Sequence, residues 1–272
     1  MTELLRNGAR FDSKEPRISR FSYNASGVLS GGSLNINFVG RTVVVAGGTG
    51  GLGKSVSLAF LDEGAKVVVP YRRDEEFAAL KQAAELGSPS LEGRRVDVTD
   101  EAEVAQFVDE VLALHGALDV LVNAVGGYAG GVKLWDMTTT TLDQMLTLNL
   151  RAGFTLARAV MPFMLKAGRG SFLNVASKAA VDHGACAAAY AASKAAAVAL
   201  MDSLAADAIG SGVRVNSILP SIIDTPANRA AMPGSNFAAW PKPEDIAQVV
   251  LFLSSDLAKT IHGAAVPVYG NA

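Results

Sequence analysis

Tyr190 and Lys194 stand four residues apart in AAAYAASKAAAV, residues 187–198, a stretch that alanine otherwise fills almost alone. On a helix, residues four apart share a face, so phenol and ammonium would project together. A phenol with a pKa of about 10 carries protons poorly at neutral pH, but a neighbouring ammonium favours its ionised form and lowers that value. Such a pair can pass a proton to or from an alcohol oxygen. The spacing alone is weak, because many helices carry it. Ser177 stands thirteen residues before Tyr190, at the end of FLNVAS. Its hydroxyl could hydrogen-bond a carbonyl oxygen as negative charge develops there.

These side chains need a frame, and the chain supplies one. RTVVVAGG is a short β-branched run ending in glycines, and the following KSVSLAFLDEGA has helical spacing with a stop at Gly64. The unit repeats: KVVVP (66–70) predicts a strand, DEEFAALKQAAEL a helix, RRVDV a strand, and DEAEVAQFVDEVLALHG a helix that Asp100 can cap. LDVLVNAVGG predicts a strand, about Leu142 to Lys166 a long helix, GSFLNVAS a strand, then come the alanine-rich helix and the strand VRVNSILP. Short apolar strands alternating with helices specify a doubly wound, Rossmann-type α/β fold, a parallel sheet with helices on both faces in three layers. Ligands of such sheets bind at the carboxyl ends of the strands near the switch point, and the chemistry-bearing motifs of this chain all fall at such ends.

Composition narrows the partners. Half of the 272 residues are hydrophobic and 18% are charged, so much surface should be hidden in a core or between subunits. A net charge of -2 without a run of Lys and Arg argues against nucleic acid and anionic lipid. The single cysteine, Cys186, excludes an internal disulfide, and His115, His183 and His262 are too scattered for a metal site. No apolar run is long enough to cross a membrane, and no signal-peptide pattern opens the chain, so a cytoplasmic protein is expected. Residues 1–32 lack either period and read as an irregular extension, leaving 33–272 as a single domain.

AGGTGGLGKS, residues 46–55, lies between the first strand and the first helix. Backbone N–H groups and the helix dipole converge there, as holding a diphosphate requires. Lys54 has the wrong glycine spacing for a triphosphate-binding loop. With this turn the chain resembles the short-chain dehydrogenase/reductase family, over about Leu34 to Gly263. The family's Thr-Gly-x3-Gly-x-Gly is matched by Ala46, Gly47, Gly51 and Gly53, with Ala46 replacing threonine. Thr49 and Leu52, inside the turn, join the expected cofactor contacts.

The resemblance implies roles for the remaining residues. Ser177, Tyr190 and Lys194 fall at the family's catalytic positions, and Asn149 matches the helix asparagine that holds a water linked to the lysine. Lys194 would also bind cofactor ribose. Asp97 and Val98 match positions flanking adenine. Asn123 matches the first asparagine of Asn-Asn-Ala-Gly, here Asn-Ala-Val-Gly. Asp97 and Asn123 could equally be strand-end hydrogen bonds. Pro220, Ile223 and Thr225 match the segment touching the nicotinamide, with Ser221 in place of glycine. At the end of the second strand Tyr71 replaces the acid that would bind the ribose of NAD, and Arg72 and Arg73 follow, so NADP(H) is expected over NAD(H). Arg73 could instead be merely solvated.

Together these imply an NADP-preferring oxidoreductase that moves hydride between the nicotinamide and a carbonyl or secondary alcohol, with Tyr190 exchanging the proton. A dinucleotide-binding sensor or scaffold is the alternative, and a screen of ketones for NADPH oxidation separates the two. The chain after Thr225 is too short for the substrate domain of sugar-nucleotide epimerases. Residues of about 221–240 would cover the substrate, and Tyr128, Trp135, His183, Cys186, Phe237 and Trp240 either line its pocket or pack. The alanine-rich helix and the long helix before it form a candidate surface for a homodimer or homotetramer. Pro267 places the last strand at an edge or bends it.

Overall fold

The computed structural model describes residues 36–84 and 90–271, so the predicted extension at 1–32 lies outside the described residues. Seven parallel strands form one sheet in the order β3-β2-β1-β4-β5-β6-β7. They are β1 (Thr42–Ala46), β2 (Lys66–Tyr71), β3 (Leu91–Arg95), β4 (Val120–Asn123), β5 (Gly170–Val175), β6 (Val213–Pro220) and β7 (Ala265–Val268). The order reverses between β1 and β4, which makes the carboxyl ends of these two strands the switch point of the sheet.

Alternation along each strand sends side chains to two cores. Val43 and Val45 of β1 pack with Val67, Val69, Val120 and Val122 against α1 (Gly51–Asp62) and α8 (Pro243–Ser254). Val44 and Ala46 face the other way with Val68, Leu121 and Phe172, against α3 (Glu101–His115), α5 (Ala152–Ala167) and α6 (Ala188–Asp207). Burial on both faces explains why the strands read as unbroken apolar runs. Each fully buried Val or Phe contributes ~1.5–3 kcal/mol, so the sheet is a stiff base for its loops.

Three boundaries differ from the sequence reading. β3 lies at Leu91–Arg95, three residues before RRVDV, because Val67 to Tyr71 of β2 pair in register with Leu91 to Arg95. Asp97 instead closes an Asx turn, accepting from Thr99 N–H at 2.9 Å and from its hydroxyl at 2.7 Å. The second helix, α2, spans Asp74–Ala83, and the end of its predicted range lies outside the described residues. The long helix starts earlier, at α4 (Thr139–Leu146), capped by the Thr138 hydroxyl, and reaches α5 through a π-helical turn at Thr147–Arg151.

The remaining short helix, α7 (Pro226–Ala231), opens the segment expected to cover the substrate. β7 is an edge strand, which is where Pro267, lacking an N–H, can be tolerated. Among the described residues no helix is long and apolar enough to cross a membrane, and no cluster of metal-ligating side chains occurs.

Candidate active site

The glycine turn follows β1 directly. Gly47 adopts φ +77, and a Cβ there would lie 2.8 Å from the backbone of Ala124 at the end of β4. A Cβ on Gly53 would collide with the Gly47 carbonyl oxygen. The two glycines therefore let the turn fold tightly against both β4 and the first turn of α1. Gly50 caps α1 without a side-chain hydrogen bond, and no acidic residue occupies the first turn. The N–H groups of that turn are left to a ligand, with the positive end of the helix dipole behind them.

A cavity of about 600 Å³ runs along the carboxyl ends of β1, β2 and β4. Its walls include Gly47, Thr49, Arg72, Arg73, Asp97 and Val98, together with Gly126 and Leu148. Leu52 and Gly53 stay behind this wall, buried against the core. Gly51 stands beside Thr225: its Cβ would lie 2.9 Å from the Thr225 methyl. The loop after β6 thus closes on the glycine turn. Thr225 caps α7, the Ile223 carbonyl accepts from Asn228 Nδ2 at 2.8 Å, and Pro220 ends the strand. Ser221 donates to the Tyr269 carbonyl at 2.7 Å, so the serine in place of glycine ties this loop to the chain after β7.

Asn149 sits in the π-helical turn, 2% exposed. Its Oδ1 accepts from Gly127 N–H at 2.9 Å, while Nδ2 donates to Gly127 O and to Ser193 Oγ, both at 3.0 Å. Ser193 in turn donates to the Tyr190 carbonyl at 2.7 Å. A polar residue in a helix interior is unfavourable, and a π-turn is a place where a widened backbone can present it. This chain of bonds ties the loop after β4 to the start of α6. Ser193 lies between Tyr190 and Lys194 yet carries no signal in the sequence, because its partner Asn149 is distant in the chain.

Lys194 is 5% exposed and its Nζ donates to the Val175 carbonyl at 3.0 Å. Burial pushes its pKa down to about 8. A Cβ on Gly126 would lie 2.9 Å from Asn149 Oδ1 and 3.1 Å from Lys194 Nζ, so glycine leaves room for amide and ammonium behind the cavity wall. Ser177, capping the short turn Lys178–Ala180, shares a side-chain hydrogen bond with half-buried Tyr190. Burial raises the Tyr190 pKa, the bond to Ser177 opposes that rise, and Tyr128 adds to it. The lowering expected from Lys194 is not what the structure gives: Lys194 is not among the groups that shift Tyr190, and its ammonium is engaged by Val175 O.

Tyr128 stands edge-on to Tyr190, ring centroids 5.0 Å apart. Cys186 adopts φ 59, and its carbonyl accepts from Gly131 N–H at 2.8 Å, which joins the two loops flanking the tyrosines. Trp135 is 78% exposed, whereas Trp240 is buried against Phe237 and serves packing. His183 lies 3.2 Å from the Ala180 carbonyl. Asn123 is not brought to the cavity wall. It donates to Asn174 Oδ1 at 2.9 Å and accepts from Val125 N–H at 3.3 Å, a strand-end bond.

A parallel sheet with a glycine turn at its switch point is a Rossmann-type architecture. Residues 41–235 match the family model described as short chain dehydrogenase. The 3-oxoacyl-[acyl-carrier-protein] reductase FabG of Thermotoga maritima is 30% identical over 239 residues, covering 85% of this chain and 97% of that protein. The D-threitol dehydrogenase of Mycolicibacterium smegmatis is 34% identical over 85% of this chain and 92% of its own length. The 7alpha-hydroxysteroid dehydrogenase of Escherichia coli K12 is 32% identical over 88% and 96%. A short-chain type dehydrogenase/reductase from Mycobacterium ulcerans superposes with a TM-score of 0.81 at 29% identity, over 86% of this chain and 90% of that one. The chain belongs to the short-chain dehydrogenase/reductase family of oxidoreductases.

Proposed function

We propose that the protein is an NADP(H)-dependent oxidoreductase that interconverts a carbonyl compound and a secondary alcohol, with Tyr190 as the proton carrier. The observation that carries this is the hydrogen bond shared by Ser177 and Tyr190, with Lys194 buried behind them. Similarity to a 3-oxoacyl reductase and to dehydrogenases of threitol and of a hydroxysteroid supports the substrate class.

The residues present fit a dinucleotide. The open first turn of α1 suits the diphosphate, the glycines give it close approach, and Arg72 and Arg73 at the adenosine end suit a 2'-phosphate. Asp97 and Val98 stand at the wall for adenine, and Ile223 and Thr225 approach from the other side. When bound, the nicotinamide supplies or accepts the hydride.

The protein's part is proton handling and positioning. Burial keeps Tyr190 protonated, the form that donates to a carbonyl oxygen during reduction, and Ser177 donates to the same oxygen. Oxidation needs the phenolate, which the bond to Ser177 favours. Lys194, anchored on Val175 O, has further N–H donors for a ribose hydroxyl. Asn149 commits both amide protons to Gly127 and Ser193 and acts as a positioning residue. The apolar side chains Leu142, Phe154 and Leu165 of α4 and α5 are partly exposed, and with α6 they supply the surface of a homodimer or homotetramer. Light scattering should return a multiple of the 28.2 kDa chain, and a monomer would remove this assembly.

Tyr190→Phe should lower carbonyl reduction by roughly 10²–10⁴-fold while NADPH binding, measured by calorimetry, changes little. Retained turnover would remove Tyr190 from its role.

A further inference from the structure

Two carboxylates stand in the cavity wall, Asp97 and Glu76, and Glu76 lies among groups that would attract phosphate. Glu76, in the first turn of α2, accepts from the Thr49 hydroxyl at 3.2 Å through Oε2. Its Oε1 forms an ion pair with the guanidinium of Arg73. Glu76 therefore bridges the glycine turn after β1 and the arginine pair after β2, and all four residues, Thr49, Arg72, Arg73 and Glu76, line the same cavity.

The other carboxylates nearby are engaged elsewhere. Asp97 holds Thr99 through two hydrogen bonds. Asp74 accepts a hydrogen bond from the Tyr71 hydroxyl, and the Tyr71 ring is stacked on Phe77. Glu76 alone of the three is tied both to a residue of the glycine turn and to an arginine expected to meet a 2'-phosphate.

A 2'-phosphate brings nearly two negative charges and needs unbalanced guanidinium groups. With Glu76 on Arg73, that arginine is already neutralised, and a second anion beside the carboxylate is repelled. A ribose with a free 2'-hydroxyl meets no such repulsion, and a carboxylate is its natural acceptor. Position 71, where the resemblance places that acid, holds a tyrosine, so Glu76 reaches the same region from α2.

We propose that Glu76 is a specificity-determining residue that tempers the preference for NADPH over NADH, competing with the 2'-phosphate for Arg73 and accepting from the 2'-hydroxyl of NADH. The assignment of the cavity end to the adenosine ribose rests on the function proposed above, but the sign of the effect rests on the Thr49, Glu76 and Arg73 contacts.

Calorimetric titration of NADPH and of NADH into the wild-type protein, Glu76→Gln and Arg72→Asp tests this. Glu76→Gln should tighten NADPH about fivefold, the scale of a half-exposed charge contact, and leave NADH unchanged or weaker. Arg72→Asp should move the ratio the other way. Glu76→Ser, which removes the carboxylate without leaving an amide, should repeat the shift and guards against a folding defect of one variant. Equal changes in both affinities, or weaker NADPH binding, would overturn the role of Glu76. A wild-type protein that binds NADH as tightly as NADPH would overturn the NADP(H) reading, yet a ratio that still moves in Glu76→Gln would leave Glu76 as its determinant.

Discussion

The cluster around Tyr190 and the arginine side of the cavity are built on different terms. Around Tyr190 four polar side chains are fixed by backbone groups: Asn149 by Gly127, Ser193 by the Tyr190 carbonyl, Lys194 by the Val175 carbonyl, Ser177 by the N–H of Ala179. On the arginine side, side chains hold one another: Thr49 on Glu76, Glu76 on Arg73, with Arg73 largely in solvent. Buried polar groups fixed by the backbone are costly to disturb, whereas exposed ion pairs contribute little to stability. On the proposed function, the geometry for proton transfer is locked into the fold, and discrimination between cofactors is left to surface charges that can change without touching the core.

Asn149→Leu tests this contrast most severely. It leaves the N–H and C=O of Gly127 without their side-chain partner and Ser193 Oγ without its donor, and should lower stability by roughly 2–5 kcal/mol in denaturant unfolding. Arg72→Asp should shift stability by no more than about 0.5 kcal/mol, because it is a surface change. If both cost the same, the contrast between the two regions fails.

A smaller effect concerns protons. The folded-state pKa of Lys194, about 8, is below its ordinary 10.5, so between these values the unfolded chain binds more protons and stability rises with pH. The slope from this residue is at most about 1.4 kcal/mol per pH unit. Tyr190 acts in the opposite sense: its raised pKa keeps the folded state protonated above 10, where stability falls. Unfolding midpoints of the ligand-free protein should therefore climb above pH 8 and decline above 10, and Lys194→Met should lose the climb.

Local signals carried much of this. Apolar strands ending in glycine, Asp100 as a helix cap, and Tyr190 and Lys194 on one face were all legible. The position of β3 was not, because LEGRR alternates weakly and its register comes from β2. The π-turn around Asn149 has no marker in its own residues. It is stabilised by Gly127 and Ser193, which lie 22 and 44 positions away. Glu76 is one of three acidic residues in the first turn of α2, and nothing in its neighbours sets it apart.

The sequence by itself determined the order of strands and helices, the glycine turn, and which residues can share a helix face, since these depend on neighbours within a few positions. Tertiary structure decided which carbonyl receives the Lys194 ammonium, that burial raises rather than lowers the pKa of Tyr190, and that Glu76 reaches across to Thr49. Those outcomes depend on desolvation and on contacts between separate segments, and both arise only once the sheet has brought the loops together.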